Sequence, residues 1–251
     1  MICLYLRMTE SKLEYNQHVS VDCAVFGFDG ELIRVLLIKR KQQNREVYCL
    51  PGDLVRVEET LDEAASRVLR DLTGLKGVYL RQFKAFGELD RISDPIDIEW
   101  LKTVREFPQE HVVTVGYYSI LSTISDALTP NSFAEDVFWQ PIDQPKRLAF
   151  DHNNIANTAW RKLQNKIRNE PLVAFNLLPE RFTLRQLQGL YESIVGSELD
   201  KRNFRKKIQG KKYIVPLDAY ESGVPHKPAR YYQFDKSIYQ QEFEKGQWFL
   251  F

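Results

Sequence analysis

Cysteine is scarce in this chain, and the patterns that would give it a role are missing. The three present, Cys3, Cys23 and Cys49, are an odd set with no CxxC spacing and no histidine at ligand spacing. That argues against a disulfide framework and against a zinc site, and points to a reducing cytosol. Long apolar runs are also missing. Stretches such as Val35-Leu36-Leu37-Ile38 fall far short of the ~18 residues a membrane span requires, so no membrane association is expected. The apolar part of Met1 to Arg7 is too short for a signal core and has no small-residue cleavage site behind it, which argues against secretion. Net charge nearly vanishes, with 35 Lys and Arg against 34 Asp and Glu. No internal repeat or low-complexity tract is present, and a hydrophobic fraction of 43% excludes disordered, collagen-like and coiled-coil classes.

What is there begins with length. At 251 residues the chain exceeds the ~150 of a typical domain, and two domains are expected. The neutral total conceals an asymmetry. Arg181 to Arg230 holds eleven Lys or Arg against five Asp or Glu, a net of +6, so the remainder carries −5 of the overall +1. Within that segment Lys201 to Lys212 reads KRNFRKKIQGKK, with seven basic residues and no acidic one. Most such runs are solvated faces, so context decides what this one means.

The first part of the chain reads as mixed α/β. His18 to Phe28 alternates apolar and polar positions before turning apolar on both faces, Asp29-Gly30 supplies a turn, and Leu32 to Ile38 follows as the second strand of a hairpin. A loop ends at Pro51-Gly52-Asp53. Leu61, Ala64, Ala65, Val68, Leu69 and Leu72 then recur at helical spacing, with a capping box at Thr60 and Glu63 and a C-terminal cap at Gly74. Further strands are expected at Val78 to Ala85 and His111 to Leu121, separated by an irregular Asp90 to Pro108 with one helical turn. A helix over Asn154 to Arg168 is closed by Pro171.

A different pattern follows. Thr183 to Ile194 places Leu184, Leu187, Leu190, Tyr191 and Ile194 on one face, Val195-Gly196-Ser197 makes a turn, and Asp200 to Gln209 buries Phe204 and Ile208. Opposite that buried pair, Lys201, Arg205 and Gln209 fall at i, i+4 and i+8 beside Arg202 and Lys206. Tyr213 to Phe234 completes two short helices with a small hairpin, the order of a helix-turn-helix with a wing. On such a face Arg suits guanine, Asn203 suits adenine and Lys neutralises phosphate.

Pro51 to Leu75 resembles the box of the Nudix hydrolase family, GG-x5-E-x7-R-E-U-x-E-E-x-G-U with U a bulky apolar residue. The match falls at Gly52, Glu59, Arg67, Leu69, Gly74 and Leu75, with Asp53 in place of the second glycine. Active members hold divalent metal with carboxylates of the R-E-U-x-E-E stretch. Those positions here are Val68, Asp71 and Leu72, which leaves one carboxylate where the chemistry wants two or three. The fold is expected to be kept and the catalysis lost, with no catalytic residue, no metal and no cofactor.

With the basic C-terminal segment, nearly the whole chain resembles the Nudix-related transcriptional regulators. The resemblance rests on Ala149-Phe150-Asp151-His152, on Leu177 to Leu184 (LLPERFTL), on Leu199 to Lys206 (LDKRNFRK), and on Phe86-Gly87 with Asp90-Arg91; a segment from Asp97 to Glu110 departs from the family pattern as an insertion. It implies an α/β (α+β) Nudix-like sandwich over residues 1–170 that binds an effector, followed by a winged helix-turn-helix domain over 171–251. The partners implied are a double-stranded operator, a second copy of the chain, and a small molecule, a pentose or an ADP-ribose-like nucleotide. The depleted metal site tips this expectation toward a sugar. The DNA-facing residues expected are Thr183, Arg185, Lys201, Arg202, Asn203, Arg205, Lys206, Gln209, Lys227 and Arg230. Arg40, Glu59, Arg67, Asp71, Asp90 and Arg91 are expected at the effector. The rival readings are an active Nudix hydrolase of a nucleoside diphosphate derivative with an accessory domain, and a pure interaction module. His152 is expected to be a structural polar contact, His111 and His226 surface groups, and Tyr117 and Tyr118 packing residues.

Overall fold

A computed structural model of the chain describes residues 14–40, 46–105, 107–122, 124, 128–130, 132, 134–144, 146–225 and 227–244. Strand β1 (Tyr15–Phe28) turns into β2 (Ile33–Arg40), and Asp29 builds the turn by accepting the N–H groups of Glu31 and Leu32, each at 2.8 Å. Then follow β3 (Val47–Cys49), β4 (Gly52–Arg56), α1 (Leu61–Thr73), β5 (Arg81–Phe86), α2 (Pro95–Val104), β6 (Val113–Leu121), β7 (Ala134–Pro141) and the long helix α3 (His152–Asn169). β1 is the spine of a mixed seven-stranded sheet. It pairs antiparallel with β4 along its first half and with β2 at its end, while β6 runs parallel to it from Val19↔Val113 to Gly27↔Leu121.

Alternation along β1 sorts its side chains to two faces. Val21, Cys23 and Val25 pack with Ala64, Ala65, Val68, Leu69 and Leu72 of α1. Ala24, Phe26 and Phe28 pack with Ile155, Ala159, Leu163 and Ile167 of α3. Helix α1 has both expected caps, the Thr60–Glu63 capping box and Gly74 in the left-handed conformation.

Three local expectations need correction. The Asp90 to Pro108 stretch holds a full ten-residue helix, α2, started by Pro95 and capped by Asp94, whose carboxylate accepts the N–H of Ile96 at 2.9 Å. Its apolar periodicity is thin, since its buried side chains are Asp97 and Leu101. Gly52 and Asp53, read as the end of a loop, instead open β4, because β1 offers them an edge, although Gly and Asp are poor strand formers. The strand expected over Val78 to Ala85 is shifted to Arg81–Phe86.

The second part runs through α4 (Leu172–Phe175), β8 (Phe182–Thr183), α5 (Leu184–Val195), α6 (Lys201–Gln209), β9 (Ile214–Tyr220), β10 (Arg230–Phe234) and α7 (Lys236–Glu244). β8, β10 and β9 form a three-stranded sheet in that order beside α5 and α6, which is a winged helix. A single apolar cluster links the two parts, running from Phe26 and Val35 through α3 to Leu187, Leu190, Phe204 and Ile208. Each fully buried Leu or Ile in it contributes about 1.5–3 kcal/mol. At the junction a Cβ on Gly189 of α5 would stand 3.0 Å from the Glu31 carbonyl oxygen, so glycine allows the helix to meet the β1–β2 turn. Among the described residues no helix is long and apolar enough to cross a membrane.

Candidate effector pocket and nucleic-acid interface

The Nudix-box loop is organised by Arg67. Its guanidinium donates to both oxygens of Glu59, at 2.9 Å from Nε to Oε2 and 2.7 Å from Nη2 to Oε1, to Asp53 Oδ2 at 3.1 Å and to the Leu54 carbonyl at 2.8 Å. Burial alone would raise the Glu59 carboxyl, but hydrogen bonds from Arg67 and the Arg56 N–H outweigh it and hold the group below its ordinary range. For Asp53 burial wins over Arg67 and the carboxyl is raised. Val68 and Leu72, at two of the family's glutamate positions, are core residues against the sheet. Asp71 lies on the outside of α1 and pairs with its neighbour Arg70 at 2.8 Å. Among the described residues no three His, Cys, Asp or Glu side chains gather as a metal site would require.

Residues 149–152 are a hub, each fastened to a different element. The Ala149 N–H donates to the Tyr48 carbonyl at 2.8 Å and the Phe150 N–H to Asp97 Oδ2 at 2.7 Å. Asp151 takes Arg91 in a two-point pair, and Arg91 also donates to the Val112 carbonyl at 2.8 Å. His152 Nδ1 accepts the Leu50 N–H at 2.9 Å, which leaves Nε2 protonated and facing Asp22 Oδ1 at 3.3 Å. The remaining Asp22 oxygen accepts the Thr114 hydroxyl at 2.7 Å. His152 is fully enclosed, and burial pushes its pKa below the usual 6.5, so it is a neutral structural contact. Gly52, at the start of the box, is explained here: a Cβ on it would fall 1.9 Å from Asp22 Oδ1.

Beside the hub opens a cavity of about 230 Å3. Glu88, Asp90, Asp94 and Asp151 make its wall acidic, with Arg91, Ser93, Phe150 and Asn154 of α3 completing it. Of the expected effector residues the structure brings Asp90 and Arg91 to this cavity. Asp90 is exposed, whereas Arg91 is buried and paired with Asp151. Glu59 and Arg67 hold each other, Asp71 stands apart, and Arg40 is wholly buried against Asp97. Sequence reasoning missed Asp22 and Asp97. Asp22 stands at a polar position of an alternating strand, so nothing local set it apart.

The other face is cationic. Lys201, Arg202, Asn203, Arg205, Lys206 and Gln209 are all exposed on α6, which Phe204 and Ile208 anchor from behind. Asp200 caps the helix by accepting the Asn203 N–H at 2.8 Å. Lys227 and Arg230 are exposed on the wing, where Arg230 Nε donates to the Leu217 carbonyl at 2.6 Å. Arg185 is exposed on the first turn of α5 and lies 3.2 Å from Glu31 of the β1–β2 turn. Thr183 is buried and its hydroxyl accepts the Gln186 N–H, so its place is that of a cap for α5. His111 is exposed beside the Gly87 carbonyl, Tyr117 and Tyr118 are packed, with the Tyr117 hydroxyl on Asp62 at 2.5 Å, and His226 lies outside the described residues.

Comparison with known proteins adds to this geometry. Residues 16–160 match the NUDIX domain, and residues 174–234 match the NrtR DNA-binding winged helix domain. The chain is 29% identical over 235 residues to the ADPR responsive transcriptional repressor NtrR of Acinetobacter baylyi, covering 90% of this chain and 86% of that protein. It is 27% identical over 149 residues to an ADP-ribose pyrophosphatase of Methanocaldococcus jannaschii, covering 59% and 78%. The crystal structure of Shewanella oneidensis NrtR with a 27mer DNA superposes with a TM-score of 0.58 at 22% identity, over 88% of this chain and 94% of that one.

Proposed function

The chain belongs to the NUDIX domain family and continues into an NrtR-type DNA-binding winged helix domain, and from that premise we propose that it is a transcriptional repressor whose Nudix domain binds ADP-ribose without hydrolysing it. The observation that carries the DNA reading is the exposed basic face of α6, free of acidic side chains and backed by Phe204 and Ile208. As a homodimer the protein would set two such helices about one helical turn, roughly 34–36 Å, apart on a palindromic operator. Arg202, Asn203, Arg205 and Gln209 would read bases, and Lys201, Lys206, Lys227, Arg230 and Arg185 would hold phosphates.

ADP-ribose is favoured by the relatives, one a repressor responsive to it and one a hydrolase of it. A free pentose, toward which the sequence leaned, draws no support from them. The acidic cavity suits ribose hydroxyls, which donate to carboxylates; the diphosphate belongs against cations instead. Loss of turnover is supported by Val68 and Leu72 in the core and by the capture of Glu59 and Asp53 by Arg67. Effector binding reaches DNA through α3. Asn154 of its first turn lines the cavity, and Gln164, five residues from its other end, donates to the Ile194 carbonyl of α5 at 2.7 Å. Such coupling is typically worth ~1–3 kcal/mol.

The test is to select DNA from a random pool with the purified protein, then follow the bound fraction by fluorescence anisotropy as ADP-ribose is added. A selected palindrome released by ADP-ribose, with no AMP formed in the presence of Mg2+, is the expected result. Failure to enrich any sequence would sink the regulator reading. AMP production above background would restore the hydrolase reading.

A further inference from the structure

Arg40 ends β2 wholly buried, with no side-chain surface open to solvent. Its Nη2 donates to Asp97 Oδ1 at 2.6 Å, while Nε and Nη1 meet no hydrogen-bond partner among the described residues. The guanidinium lies 4.2 Å from the ring centroid of Trp100 and 5.0 Å from that of Phe150. A buried guanidinium with idle donors is costly, and a single carboxylate oxygen is a poor match for its fork.

The Asp97 carboxylate is held from a second side as well. Its other oxygen accepts the Phe150 N–H at 2.7 Å, and Phe150 adopts a φ of 53°, a left-handed conformation unfavourable for a residue with a Cβ. Strain kept in place beside an under-used cation is the kind of arrangement a binding site retains. Asp97 itself comes from α2, a helix whose buried side chains are Asp97 and Leu101. At its start Asp94 reaches Arg147, an exposed residue. Asp97 and Leu101 are thus its two buried moorings, with the half-buried Trp100 ring laid against Arg40 and Phe150.

We propose that α2 is a latch over an anion-binding site, and that Asp97 is a resident carboxylate which a phosphoryl group of the effector displaces. This rests on the effector reading given above and adds its regulation. A phosphoryl group offers three acceptor oxygens. It can satisfy Nε and Nη1 of Arg40, which Asp97 leaves idle, and replace Asp97 on the Phe150 N–H. Displacement frees α2 and alters the hub residue next to Asp151 at the head of α3, so anion entry and release of the DNA-reading helices are one event. The internal carboxylate also sets the response threshold. If the latch is open in about one molecule in ten, the effector binds about tenfold more weakly than to an open site.

Calorimetric titration of the full chain with ADP-ribose, inorganic pyrophosphate and adenosine tests this. Asp97→Asn removes the competing charge but keeps the shape, and Leu101→Ala loosens the mooring without touching either donor. Both variants should bind ADP-ribose and pyrophosphate about tenfold more tightly than the parent and adenosine no differently. If Asp97→Asn does not fold, Leu101→Ala decides. Unchanged anion affinity in a folded variant overturns the latch, and so does an equal gain for adenosine, which carries no phosphate. If no protein binds ADP-ribose yet pyrophosphate still binds more tightly to the variants, the latch stands and the choice of effector falls.

Discussion

Asp151 holds Arg91 with both carboxylate oxygens, at 2.9 and 3.0 Å, across sixty positions of chain. The pair ties the segment after β5 to the start of α3, and the side chains are 14% and 6% exposed, so the ions are shielded from water. Asp151→Ala would leave the guanidinium without its main partner. The expected loss is about 3–5 kcal/mol, toward the lower figure because Asp22 stands 3.8 Å away. Urea denaturation measures it; a loss under about 1 kcal/mol, the worth of an exposed pair, would show that the bridge does not hold the hub.

His152 gives the protein an acid-sensitive component of stability. Its folded pKa lies below the ordinary 6.5 because burial disfavours the imidazolium. The unfolded chain therefore takes up the proton first as pH falls. The contribution is complete above that ordinary value and is lost as pH drops through the folded one. His152→Asn can still accept the Leu50 N–H and carries no titrating group. Its Tm should be lower at about pH 8 but flatter than the parent's between about pH 7 and 5. Parallel curves would remove His152 from the acid response.

Gly52→Ala should be among the most damaging single changes. Its Cβ would overlap Asp22 Oδ1, and moving Asp22 disturbs Thr114 and His152 together. More than about 2 kcal/mol is expected, although Ala is otherwise a small change. A variant as stable as the parent would mean that β4 and Asp22 can separate freely.

On α6, Arg205→Ala and Lys206→Ala should differ in kind. The first is expected to cost about 1–3 kcal/mol on the selected DNA and to relax preference at one position. The second should weaken binding to every sequence and reduce the slope of log K against log salt by roughly one. Equal effects on selected and scrambled DNA for both would place neither at a base.

The parts legible in the sequence are those whose signals are local. Helix α1 has both caps and a full apolar stripe within a few residues, and α6 pairs a basic face with Phe204 and Ile208 at helical spacing. What escaped is set by distant partners. β4 is a strand because β1 lies beside it, and α2 is moored by an aspartate that meets Arg40 across 57 positions. Asp22, His152 and Gly52 each look ordinary alone, and only their convergence explains them. Arg91 lines the cavity, but its partner Asp151 stands sixty positions away, and no local pattern announces that pairing.

The apolar cluster that passes from Phe26 through α3 to Leu187 and Phe204 bears on how such a chain can be rebuilt. A DNA-reading head cut away at Pro171 would carry with it the bare half of a shared interior. Grafting a new specificity onto this scaffold therefore means exchanging the outward residues of α6 in place, since α3 is common property of sensor and reader and cannot be assigned to either.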